Sequence, residues 1–162
     1  MNRPWIIGIM GGGDAAAEAL DNAYRLGCLV AQHKWCLLNG GRDAGVMAAS
    51  ARGAFENGGL TVGILPGTTL HTASPHLTIP IRTGMGMARN CINALSSDVV
   101  VACPGGPGTL SEIALALKSD KPVITMGFSL PSMPGISMGG ASRLFSADTP
   151  EAVVGLIEKL LQ

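Results

Sequence analysis

The chain has 162 residues, enough for one domain and one core, with 47% apolar and 14% charged residues and a formal charge of zero. With no Lys/Arg cluster and no basic excess, it lacks the counterion-releasing footprint of a nucleic-acid binder, and no apolar run is long enough to span a bilayer. So little charge on a short chain predicts that part of the surface is covered by another copy of the chain. Cys28, Cys36, Cys91 and Cys103 form no C-x-x-C pair, and each sits in an apolar stretch, so they are expected to be buried free thiols with no metal site. The opening Met1-Asn-Arg-Pro-Trp5 has no apolar core behind a basic start, so no signal peptide and a cytoplasmic location are expected.

The predicted elements alternate. A first strand, Trp5–Met10, exits through Gly11, Gly12 and Gly13. Asp14 is a good N-cap for a helix reaching Gln32, with Asp21 and Arg25 paired along its wet side. A second strand, Trp35–Leu38, turns through Asn39-Gly-Gly41 into a helix from Ala44 to Glu56, which Asn57-Gly-Gly59 stops. Leu60–Leu65 is the third strand, Pro66–Pro75 a polar loop, and Leu77–Ile81 a fourth strand whose Pro80 places it at or near an edge. After Arg82-Thr-Gly-Met-Gly86 a helix runs to Leu95, followed by the strand Val99–Ala102, the helix Ile113–Lys118 and the strand Pro122–Met126. Phe128–Ala141 reads as a surface excursion and Ser142–Phe145 as a short strand. Thr149, Pro150 and Glu151 open the last helix with a cap, an N1 proline and a first-turn acid.

This order gives an α/β class: a single doubly wound, Rossmann-like domain over residues 1–162, with a mainly parallel sheet. Ligands then bind outside the carboxyl ends of the strands, where the glycine loops at 11–13, 39–41 and 104–108 converge. The richest loop is Cys103-Pro-Gly-Gly-Pro-Gly-Thr-Leu-Ser-Glu112, between a buried strand and a helix start. Gly105, Gly106 and Gly108 let successive N–H groups point into one concavity, and the helix amino end adds partial positive charge, which together make a phosphate site. Thr109 and Glu112 also fit a capping box, so for Glu112 a cap and a functional role stand level. Arg82, at a strand's carboxyl end, suits ligand contact and surface charge equally. His71 and His76 read as solvated loop residues and His33 as a helix-end cation. The end of the second strand offers Asn39 and Gly40 where a NAD site needs an acid, and no G-x-x-x-x-G-K-[ST] is present. No lysine is placed for a Schiff base, so neither NAD nor PLP is expected, and a lysine decarboxylase has no support in the residues.

Pro104-Gly-Gly-x-Gly-Thr-x-x-Glu112 resembles the signature of the Lonely Guy family, also known as lysine-decarboxylase-like. Gly40-Gly-Arg-Asp-Ala-Gly-Val-Met47 is similar to that family's second glycine motif and Met87-Ala-Arg89 to its arginine motif. The likeness runs from Trp5 to about Met126. It implies, in the enzymes, that an arginine and a glutamate remove ribose 5-phosphate from a nucleoside 5'-monophosphate; the matching positions are Arg89 and Glu112. The enzymes carry Arg-Lys where this chain has Arg89-Asn90. Thr83–Asn90, Asn39–Met47 and Leu95–Val100 are instead similar to a short branch whose members carry the molybdenum cofactor, although Pro104 and Gly106, which that branch need not keep, are both present. The resemblance therefore implies a carrier or storage protein for molybdopterin, with a phosphoribohydrolase as the alternative, and in either case a dimer or larger assembly; the methionine-rich face of the helix from about Met85 to Leu95 and the low overall charge point to that helix as the interface of a dimer or tetramer. The ligand contacts expected are Gly11, Gly12, Gly13, Gly40, Gly41, Arg42, Arg82, Gly84, Arg89, Asn90, Gly105, Gly106, Gly108 and Thr109.

Overall fold

Four short strands are buried along their length and apolar but for Asn39 and Thr125: β1 (Ile6–Met10, with only Ile6 half-buried), β2 (Cys36–Asn39), β5 (Val99–Ala102) and β6 (Val123–Met126). Continuous apolar strands need cover on both faces, which only a parallel sheet between helices supplies. The computed structural model describes residues 3–130 and 143–162 and shows that sheet. Seven parallel strands run in the order β4-β3-β2-β1-β5-β6-β7, with β3 at Leu60–Leu65, β4 at Ile79–Arg82 and β7 at Leu144–Ala147. Successive residues alternate between the two cores. Val99, Val101 and Cys103 join Ile7, Ile9, Leu26 and Ile157 on one face, while Val100 and Ala102 join Met10, Ile64 and Ile113 on the other. Pro80 sits on β4, which is an edge strand, as its missing N–H requires.

The first core lies under α1 (Ala17–Gln32), α2 (Gly45–Glu56) and α5 (Pro150–Leu160); the second lies under α3 (Arg89–Ser96) and α4 (Pro107–Lys118). α1 and α2 cross closely enough that a β-carbon on Gly53 would meet the Tyr24 carbonyl oxygen at 2.0 Å, and one on Gly27 the Ser50 oxygen at 2.2 Å. β1 pairs with β2 on one side and β5 on the other. The chain therefore winds outward from β1 to β4 and then returns, so the switch point lies between the carboxyl ends of β1 and β5.

Several local expectations are corrected. Asp14 is not the α1 cap: the helix starts at Ala17 after Ala16, which makes no side-chain cap. The reason lies in the preceding loop, where the Gly12 N–H donates to the Pro104 carbonyl and the Gly12 carbonyl accepts from Val46 N, both at 3.0 Å. Pinned to two neighbouring segments, the chain has to cross further before it can coil. Arg25 pairs with Glu151 of α5 rather than with Asp21. A 3-10 turn at Gly86–Ala88 precedes α3. α4 begins at Pro107, six residues before the predicted Ile113, because proline at N1 starts it directly after Gly106. The Phe128–Ala141 excursion lies outside the described residues from 131 onward, as does Ser142 of the predicted last strand.

Candidate functional site

At the switch point a cavity of about 360 Å³ opens between the exits of β1, β2 and β5 and the starts of α3 and α4. Its walls bring together Gly11, Gly12, Gly13, Gly40, Arg42, Arg89, Asn90, Gly106, Gly108, Thr109 and Glu112. Four predicted contacts are not among them. Gly41, at φ +73°, is pressed against Gly63 of β3. Gly105 lies where a β-carbon would meet the Thr109 Oγ1 at 2.2 Å, so it packs under the loop. Arg82 is exposed at the end of the edge strand, and Gly84 turns the chain at φ +65° with its N–H on the Gly67 carbonyl. The cavity also takes in Ile9, Met10, Met47, Pro66, Gly86, Met87 and Pro107, which the sequence reading did not select. Met10 and Met47 each sit within or beside a glycine motif, the one signal that pointed to them.

The α4 amino end faces this space. Gly106 is its N-cap, extended at φ −105° and ψ −155°, and no side chain caps the helix. The N–H groups of Gly108 and Thr109 have no backbone acceptor among the described residues, the ordinary condition of a helix's first turn. A β-carbon on Gly106 would have nothing within 4 Å, so the space beside these donors is open.

Arg89 enters from α3. Its guanidinium lies so close to Gly40 that a β-carbon there would meet Nη1 at 2.2 Å. Nε and Nη1 are buried without a hydrogen-bond partner. Burial pushes this guanidinium below its ordinary pKa; Glu112 opposes that shift and Arg42 adds to it. A guanidinium in this condition lacks an acceptor for two of its nitrogens.

Glu112 proves to be neither a cap nor a first-turn acid. With α4 starting at Pro107, Thr109 is the third helical residue and Glu112 lies a turn further in, beyond reach of the N-cap N–H. It is 6% exposed and accepts from Asn93 Nδ2 at 2.7 Å. Burial raises its pKa above the carboxylate range, against the pull of Asn93 and of the Arg89 charge. Arg89 and Glu112 make no ion pair within 4.0 Å among the described residues. Asn90, the residue that stands where the resemblance has lysine, gives its amide to Ser111 Oγ at 2.8 Å and to the Gly108 carbonyl at 3.4 Å. It thus ties α3 to the first turns of α4 and brings no charge. No group of three or more metal-ligating side chains occurs among the described residues.

Comparison with known proteins places this geometry in context. The SLOG cluster4 family matches residues 4–154. The molybdenum cofactor binding protein of Rippkaea orientalis superposes with a TM-score of 0.93 and 47% identity, covering 99% of both chains. The molybdenum cofactor carrier protein of Chlamydomonas reinhardtii gives 0.90 and 43% over 98% of this chain and 99% of its own. The cytokinin riboside 5'-monophosphate phosphoribohydrolase of Mycobacterium tuberculosis is 33% identical over 116 residues, 67% of this chain and 62% of that protein.

Proposed function

Because the chain belongs to the SLOG cluster4 family, we propose that it holds a phosphorylated, ring-bearing small molecule in the switch-point cavity, and that this molecule is the molybdenum cofactor, carried or stored rather than transformed. The observation that carries this reading is the buried Arg89 guanidinium with two unpartnered nitrogen donors, set beside the uncapped α4 amino end. Phosphate or oxo oxygens fit both. The Gly108 and Thr109 N–H groups and Arg89 take the anionic end, with Arg42 at the mouth of the cavity. Met10, Met47, Pro66 and Met87 offer apolar surface to a flat pterin-like ring. The likeness to the two molybdenum cofactor proteins over nearly the whole chain supports the same ligand.

The second reading is a nucleoside 5'-monophosphate phosphoribohydrolase. It is favoured by the presence of Arg89 and Glu112 in one cavity and by the Mycobacterium tuberculosis relative. One detail weighs against it: Asn90 is neutral and engaged with α4, so this motif brings no second cation to the cavity.

The protein is further proposed to act as a cytoplasmic homo-oligomer. Met85, Met87 and Leu95 are exposed along the 3-10 turn and α3, and no helix among the described residues is long and apolar enough to cross a membrane. Incubation with AMP followed by chromatography tests the main choice. Retained AMP without adenine supports the carrier, and steady adenine release overturns it in favour of the hydrolase.

A further inference from the structure

α3 carries Arg89 at its start and then Asn90 and Asn93, which both bond to α4. Asn93 lies one turn beyond Arg89, fully buried. Its Nδ2 donates to Glu112 Oε1 at 2.7 Å, while its own Oδ1 is buried with no partner. A buried amide with one end bonded and the other empty is an unusual arrangement, because each unsatisfied polar atom costs stability. It makes sense beside a group that changes its protonation. An ionised carboxyl accepts from the amide N–H. A protonated one donates to the amide oxygen once the amide turns over, so asparagine serves both forms where an apolar residue serves neither. The carboxyl's other oxygen, Oε2, has no hydrogen bond among the described residues, and Glu112 lines the cavity.

We propose that Asn93 is a positioning residue of the ligand site, which holds Glu112 by Oε1 and leaves Oε2 facing the bound anion, so that the cavity accepts anions according to the charge on this carboxyl. The inference rests on the cavity being an anion site. The charged group facing Glu112 is Arg89 from α3, and Arg42 from the loop after β2 lines the same cavity. A neutral Glu112 adds nothing against the anion, and an ionised one repels it. Affinity is therefore highest in acid and falls as pH rises through the Glu112 midpoint. The Asn93 donor stabilises the ionised carboxyl, so its removal moves that midpoint upward.

The test uses the full chain, Asn93→Ala and the near-isosteric Asn93→Leu, so that a folding defect from the lost volume in one is met by the other. Glu112→Gln is the reference without charge. Sulfate, a dianion throughout, is titrated calorimetrically from about pH 5 to 9 and the Glu112 carboxyl carbon is followed by NMR over the same range, with AMP, whose phosphate itself titrates near pH ~6, used only as a second test of anion binding. The expected result is a midpoint at least about half a pH unit higher in both Asn93 variants by either method, with acid-side affinity within about twofold of the parent, and no step in Glu112→Gln. An NMR midpoint unchanged by loss of Asn93, or an affinity lowered equally at every pH, overturns the inference and leaves the anion site standing. A parent protein that binds neither sulfate nor AMP at any pH overturns the anion site itself.

Discussion

Gly106→Val separates folding from binding most sharply. The glycine has extended backbone angles that any residue adopts, and a β-carbon on it meets nothing within 4 Å. The fold therefore tolerates valine at a cost no larger than that of a poorer N-cap, about 1 kcal/mol or less. Binding is another matter. A phosphate oxygen must come to about 2.8 Å from the peptide nitrogens, and the γ-methyls of valine keep other heavy atoms about 3.5–4 Å away. Both cannot occupy the same mouth. Losing one or two charge-assisted hydrogen bonds, at about 1.5–3 kcal/mol each, removes about 1.5–6 kcal/mol, or roughly 10- to 10,000-fold in affinity. Calorimetry with AMP and thermal denaturation of the same samples measure the two sides. A folded Gly106→Val protein that binds AMP as tightly as the parent would refute the placement of the anion at the α4 amino end.

Gly53→Ala is expected to destabilise by roughly 2–4 kcal/mol in urea denaturation, because its β-carbon falls 2.0 Å from the Tyr24 carbonyl oxygen and the two helices must part. Gly155→Ala in α5, with nothing within 4 Å, is the control and should be neutral or stabilise by up to about 1 kcal/mol. For Glu112 the raised carboxyl pKa fixes a sign. Its contribution to stability is present below the unfolded pKa and is lost as pH rises through the folded value, whereas glutamine stays neutral. The stability of Glu112→Gln relative to the parent should therefore grow from about pH 4.5 towards neutrality, and a pH-independent difference in denaturation midpoints counts against a buried carboxyl. Sedimentation should show a dimer or larger species at micromolar concentration, reduced by Met87→Glu on the 87% exposed side chain; a monomeric parent overturns the oligomer.

The strands were legible because buried parallel strands are almost wholly apolar: Val99–Ala102 admits no other role, and Pro80 marked its strand as an edge. Helix starts were harder to read. Asp14 has every local property of a cap, yet tertiary hydrogen bonds to Pro104 and Val46 carry the chain past it before α1 can begin. Glycines were ambiguous in the same way. Gly41 and Gly105 look like Gly106 in sequence, but the first two make room for protein and only the third leaves open space. What a glycine makes room for depends on what lies opposite, and that is not written in its neighbours.

Glu112 shows where the sequence misleads about chemistry as well as about place. In the motif Thr109 and Glu112 fit a capping box, which would set Glu112 at the positive end of the helix. With the helix starting at Pro107, Glu112 lies past the first turn, bonded to Asn93 and buried, and the carboxyl pKa rises instead of falling. Arg89 is a partly desolvated cation whose Nε and Nη1 have no acceptor. Arg89 and Glu112 make no ion pair and line the same cavity. On the proposed reading the ligand's anionic end answers Arg89, and protonation or a ligand hydrogen-bond donor answers Glu112, while Asn90 and Asn93 bond α3 to α4 beside both groups.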